Sequence, residues 1–155
     1  MKRAPGTRNR FRFLHFRRTS GIQIMVRVEL CRIVINERTD EQQIWLREAD
    51  GAREFSIVIG LFEAFAIERL VKERPSERPL THDLCASLVE ALDAKMVRAV
   101  IDDLKDDTYF AKVVLRRGKD EIAVDARPSD AITLALKTNA PLYVAEKVMN
   151  AVAPG

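Results

Sequence analysis

The sequence predicts an α+β fold: one compact domain with a mixed or antiparallel sheet of about six to seven strands and three main helices. Three observations carry this. Runs of β-branched residues are separated by single helical patterns, the arrangement of an α+β domain. Glycine and proline punctuate the joins between these periodic segments. The chain has 155 residues, 47% hydrophobic and 32% charged, enough for one domain with a real core.

The elements follow in order. VRVELCRIVI (26–35) is β-branched and partly alternating, and reads as a strand. Asn36–Asp40 is a polar turn. QIWLREA (43–49) is a second strand, with a hairpin turn at Asp50–Gly51. REFSIVI (53–59) is a third, its apolar end expected to be buried. Gly60 breaks the pattern. LFEAFAIERLVKE (61–73) then spaces Phe62, Phe65, Ala66, Leu70 and Val71 as an amphipathic helix does. Two prolines make RPSERP (74–79) a loop, and THDLCASLVEALDA (81–94) is the next helix. KMVRAVIDDL (95–104), TYFAKVVLRR (108–117) and DEIAVDA (120–126) are three strands, turning at Lys105–Asp107 and Gly118–Lys119. PSDAITLALKTN (128–139) is the third helix. PLYVAE (141–146) is a short strand running into a last helical turn, EKVMNAV.

The formal net charge of +3 is a property of one end. Residues 1–24 hold seven basic residues and no acid, which leaves 19 basic against 23 acidic residues in the body, a net −4. Nucleic-acid binding therefore needs a local basic patch rather than bulk charge. The basic segment has three competing readings: a disordered arm that touches phosphates, an organellar transit segment, or sequence upstream of a true start at Met25. The last is preferred, because domain patterning begins abruptly at Val26. The expected division is a tail at 1–24, a domain at 25–150 and a short tail at 151–155. Cys31 and Cys85 lie 54 positions apart without metal-ligand spacing, so free thiols in a reducing, cytoplasmic setting are the default expectation and a single disulfide the minority one. No apolar run is long enough to cross a bilayer, so no membrane partner is expected.

A faint internal echo relates IVIGLFEAFAI (57–67) to VDARPSDAITL (124–134) at an offset of 67 residues. It sets Glu63 opposite Asp130 and Ala64 opposite Ala131. A true repeat would bring two helix starts face to face, although two strand-to-helix turns also resemble each other by chance.

Three stretches could carry chemistry. In RPLTHDL (78–84), Thr81 is the expected N-cap, with His82 and Asp83 in the first helical turn. Neighbours on a helix project about 100° apart, so His82 and Asp83 cannot form a dyad together. A catalytic His82 needs a partner from elsewhere, and a structural or surface histidine is the favoured reading of the residues alone. In DARPSDAI (125–132), Asp125 ends a strand, Arg127 turns the chain, and Ser129 and Asp130 open a helix behind Pro128. Helix capping leaves Asp125 and Arg127 unexplained; an arginine among acids can build an ion-pair network or bind phosphate bidentately. Glu63 opens an otherwise apolar helix, where helix-start stabilisation and a cleft-facing carboxylate are both open. Glu63, Asp83, Asp125 and Asp130 could together hold Mg²⁺ or Mn²⁺. No Gly-rich phosphate loop, HExxH or paired CxxC occurs, and Ser76, Ser87 and Ser129 lack a nucleophile-elbow context. DDLKDD (102–107) reads as a solvated hairpin turn rather than a metal loop.

IVIG (57–60), EAFAI (63–67), RPLTHDL, VIDDLKDDTYFAKVVL (100–115), DARPSDAI, LAL (134–136) and PLYVAEKV (141–148) together resemble the bifunctional nuclease family. They run in order across about residues 26–149. The resemblance implies a compact α+β domain that self-associates, with a dimer as the first expectation, and an activity on RNA and DNA without strong sequence specificity. Glu63, Arg78, His82, Asp83, Asp125, Arg127, Ser129 and Asp130 match the family pattern. The roles expected of them are inferred from the residues: Glu63, His82, Asp83, Asp125 and Asp130 as catalytic or metal-holding groups, and Arg78, Arg127 and Ser129 as substrate contacts. Three functions compete: a nuclease, a non-catalytic oligomeric module whose acid–arginine clusters are structural, and a hydrolase of a small phosphorylated substrate, which needs a closed pocket where a polymer nuclease needs an open groove.

Overall fold

The computed structural model describes residues 23–154; the basic segment at 1–22 lies outside them. Seven strands and four helices follow in the order β1 (Met25–Val34), β2 (Gln42–Glu48), β3 (Glu54–Ile59), α1 (Leu61–Val71), α2 (Thr81–Ala91), β4 (Lys95–Lys105), β5 (Thr108–Arg117), β6 (Asp120–Ala126), α3 (Pro128–Thr138), β7 (Leu142–Ala145) and α4 (Glu146–Val152). They build one mixed sheet ordered β3-β2-β1-β7-β4-β5-β6, in which only β4 and β7 run parallel. The α+β prediction holds. The last helix is a full seven residues and carries the fold two positions past the expected boundary at 150.

The partial alternation of β1 has a physical cause. Its register with β2 shifts between Leu30 and Arg32, a bulge at Cys31. The core-facing set therefore changes phase, from Val26, Val28 and Leu30 to Ile33 and Ile35. β4 does the same twice, at its two shifts against β5, so that Met96, Ala99, Ile101 and Leu104 all reach one core. Bulges bend a strand and increase its twist, and the sheet curls accordingly. Phe55 in β3 and Tyr109 in β5 have ring centroids 6.1 Å apart. Five strand steps separate them, which would span about 24 Å if the sheet were flat. The outer strands β3 and β6 are thus brought round toward each other, and a seam is left between them.

The helices complete the core. Ile67 of α1, Ala131 and Ile132 of α3, and Val148 and Met149 of α4 are fully or almost fully buried with Ile44, Leu46, Ile101 and Val144 of the sheet. Gln42, buried at the foot of β2, is satisfied by the β1–β2 turn: its amide donates to the Asn36 and Thr39 carbonyls and its oxygen accepts from the Asn36 N–H. The acidic β4–β5 turn is a hairpin, as expected, with Asp106 and Asp107 both at positive φ.

The sheet order gives the internal echo a structural counterpart. Two three-stranded meanders, β1-β2-β3 and β4-β5-β6, flank β7, and each feeds a helix from its outer strand. Ala64 and Ala131, matched by the echo, are both completely buried.

Candidate functional site

The two helix starts meet at the seam. Arg127 is the N-cap of α3, set by the extended backbone before Pro128 at the first helical position. Its Nε and Nη2 donate to the two oxygens of Asp130 at 2.7 and 3.1 Å, and its Nη1 donates to Glu63 Oε1 at 2.7 Å. The acids matched by the echo are therefore joined through one guanidinium. Three of its five N–H groups are used. The side chain is 63% exposed, so the remaining donors are accessible.

His82 enters from α2. Its Nε2 lies 3.0 Å from Asp130 Oδ1. A carboxylate only accepts, so Nε2 carries the proton and Nδ1 is left as the lone-pair nitrogen of the neutral ring. Burial acts to raise the Asp130 carboxyl, but hydrogen bonds from Arg127 and His82 outweigh it and hold the group below the usual carboxylate range. The same bonds, from Asp130 first and Glu63 second, raise the Arg127 guanidinium above its ordinary value.

Two open clefts share this cluster. One, of about 480 Å³, lies along the seam between the end of β3 and the β6–α3 junction, with Tyr109, Phe110 and Ser129 in its wall. The other, of about 1080 Å³, runs beside α2 and is lined by Phe62, His82, Cys85, Leu88 and Asp130. Glu63, Asp125 and Arg127 line both.

The expected site residues divide. Glu63, His82, Arg127 and Asp130 come together. Asp125 is exposed at the edge of both clefts, but Arg127 pairs with Glu63 and Asp130 rather than with it. Ser129 is buried, and its carbonyl accepts from the Thr133 hydroxyl at 2.7 Å. Arg78 is exposed in the loop before α2 and lines neither cleft. Asp83 points elsewhere: it accepts from both Arg69 (3.1 Å) and Lys137 (3.1 Å), tying α1, α2 and α3 together. It also accepts from the Leu80 N–H at 2.9 Å, the return half of a capping box; Leu80 is the N-cap, and Thr81, expected there, is the first helical residue instead. That backbone bond, helped by Lys137 and Arg69 and opposed by burial, lowers the Asp83 carboxyl to about 2. Arg69 and Lys137 could not be singled out in the sequence, since each is an ordinary basic residue in the last turn of a helix.

The donor set does not fit Mg²⁺ or Mn²⁺ as arranged. Glu63 and Asp130 both face a guanidinium, and Asp83 faces two cations of its own. Among the described residues, no three His, Cys, Asp or Glu side chains gather as metal ligands. Nor is any helix among them long and apolar enough to cross a membrane. Chemically, the site offers a carboxylate-oriented imidazole beside an exposed guanidinium.

Comparison with known proteins is consistent with this order of motifs. A family model described as the bifunctional nuclease domain matches residues 44–154. The chain is 37% identical over 125 residues to the uncharacterized protein Rv1829 of Mycobacterium tuberculosis strain H37Rv, covering 81% of this chain and 74% of that one. The uncharacterized protein MT1877 of strain CDC 1551 matches to the same extent.

Proposed function

Since the chain belongs to the bifunctional nuclease domain family, we propose that it hydrolyses phosphodiester bonds in RNA and DNA without strong sequence preference. The observation that carries this is the His82–Asp130 hydrogen bond beside Arg127 in an open cleft. Asp130 orients the imidazole and stabilises its charged form. His82 Nδ1 takes the proton of an attacking water, and the imidazolium returns it to the leaving oxygen. The free donors of Arg127 hold the phosphate and its developing charge. Glu63 keeps the guanidinium in place from the other side. Both clefts are open, which suits a polymer better than a small phosphorylated molecule. Self-association and a cytoplasmic setting belong to the same proposal.

The arrangement favours a metal-independent route, because the carboxylates are already engaged by cations. Cleavage of single-stranded RNA and DNA by the purified chain, with and without EDTA, tests it. Activity that survives EDTA and disappears in His82→Ala supports the reading. Absence of cleavage under both conditions sinks it.

One observation favours the non-catalytic alternative: Arg127 is bonded to two acids and the cluster is net negative, as a purely structural helix clip would be. That reading expects Asp130→Ala to unfold the protein rather than to leave it folded and inactive.

A further inference from the structure

Helix α2 roofs a groove that its own side chains do not fill. Of its eleven residues only Ala86 is fully buried. Hollows open on both of its flanks. The larger cleft, of about 1080 Å³, is bordered on α2 by His82, Cys85 and Leu88. A second hollow, of about 350 Å³, is bordered on α2 by Ala86 and Glu90. Val89 of α2, Val113 and Leu115 of β5 and Leu134 of α3 line both, so the two adjoin as one apolar groove beneath the helix. Protein interiors seldom leave voids larger than a water molecule. Even the smaller hollow has room for about ten waters at about 30 Å³ each, against walls that offer them few partners. On the larger side, Leu88 and Val124 stay 54% and 39% exposed.

The ends of this groove differ in charge. At the larger cleft Glu63, Asp125 and Asp130 outnumber Arg127. At the smaller hollow Lys95 and Lys137 outnumber Glu90. Lys95 is exposed and pairs with no carboxylate among the described residues, while Lys137 pairs with Asp83. We propose that the groove binds a single-chain amphiphile with an anionic head, a carboxylate or a phosphate monoester. Its alkyl chain lies under α2 against Val89, Val113, Leu115 and Leu134. Its head sits by Lys95 and Lys137, because the carboxylates at the other end repel it. The helix rises about 12 Å between His82 and Glu90, which suits a chain of about ten carbons. A mostly apolar hollow of this size with a few polar groups is the usual form of a small-molecule site. The roof is held largely by Ala86 and by the polar ties of Asp83 and His82, so it can lift to admit the chain. The head lies at the opposite end from His82, and binding is measured without any activity, so the inference stands apart from the hydrolytic chemistry.

Equilibrium dialysis of the full chain against radiolabelled decanoate, below its micelle concentration, is expected to give a Kd of about 100 μM or tighter. Decyl phosphate competes, and the tighter of the two identifies the preferred head. Hexanoate, decanol and decyltrimethylammonium each compete at least about tenfold more weakly, the first for want of chain and the others for want of negative charge. Lys95→Glu, on an exposed residue, weakens decanoate about tenfold and leaves decanol unchanged. Cys85 reports the place, being exposed in the larger cleft where the tail ends. In a Cys31→Ser background, saturating decanoate slows maleimide labelling of Cys85 several-fold. Three results overturn the proposal. One is no binding of decanoate or decyl phosphate, whether or not light scattering shows a second copy seated on the groove. The others are equal affinity for decyltrimethylammonium and undiminished labelling of Cys85 in the saturated protein.

Discussion

His82 and Asp130 lie 48 residues apart in the chain, and their Nε2 and Oδ1 atoms are 3.0 Å apart in space. The bond fixes which ring nitrogen holds the proton. His82→Ala should therefore lower kcat by about 10²–10⁴-fold without unfolding the protein. Asp130→Asn is the sharper test: its amide can donate to Nε2, which then presents a lone pair and moves the proton to Nδ1. The expected result is a loss close to that of His82→Ala, with KM changed less than kcat. An Asp130→Asn enzyme of near wild-type rate would rule out the orienting role.

Arg127 bridges Glu63 and Asp130 through one guanidinium. Arg127→Ala removes the guanidinium that holds the Asp130 carboxyl below the usual carboxylate range, so Asp130 should titrate at higher pH than in the wild type. The arginine is well exposed, so the stability cost should stay near 1 kcal/mol. The loss in kcat/KM should be far larger, because the phosphate contact goes too. Arg127→Lys retains the charge but cannot bridge three oxygens, and should recover stability without recovering rate. Full activity in the lysine variant would show that only charge matters here.

Asp83 gives a prediction about acid stability. Its carboxyl is lowered to about 2 from an ordinary 3.8, first by the Leu80 N–H and then by Lys137 and Arg69. A depressed carboxylate contributes stability that is complete above the unfolded-state value and is lost as pH falls through the folded one. The Asp83 contribution should therefore be constant above about pH 4 and vanish between about pH 4 and pH 2. Asp83→Asn should cost about 3 kcal/mol at neutral pH, since two cations lose their partner. It should also flatten the acid limb of a denaturant-midpoint against pH plot. An unchanged limb would mean the three-helix clamp does not hold the fold.

What was legible follows from how local each feature is. Every strand and helix announced itself through periodicity and turn chemistry, and even the phase slip in β1 left a trace as partial alternation. The echo between 57–67 and 124–134 correctly paired Glu63 with Asp130. The sequence could not show that both acids lean on Arg127, because that depends on the curl of the sheet, a sum of twist and bulges over seven strands. Asp83 was misplaced for a related reason. Its neighbour His82 serves the cleft, but a step of about 100° round the helix turns Asp83 toward Arg69 and Lys137. Thr81 suits the cap by type, while the N-cap is Leu80, whose N–H is satisfied by the Asp83 carboxylate three residues on.

Gly60 ties the break in the sequence pattern to the site. Its backbone, at φ −75 and ψ 166, suits any residue, so the glycine is not there for its conformation. A Cβ at this position would stand 2.4 Å from Glu63 Oε2. That atom is the end of a flexible side chain, so the chain can accept alanine by moving the carboxylate. The movement sacrifices the 2.7 Å bond from Arg127 to Glu63 and leaves the Arg127–Asp130 bonds in place. Gly60→Ala should thus shift stability by less than about 1 kcal/mol in a thermal melt, yet lower kcat/KM several-fold, as Glu63→Gln should. Combining the two substitutions should add little to either alone, since both remove one contact. If Gly60→Ala and Glu63→Gln prove fully additive in a double-mutant cycle, the glycine does not act through Glu63.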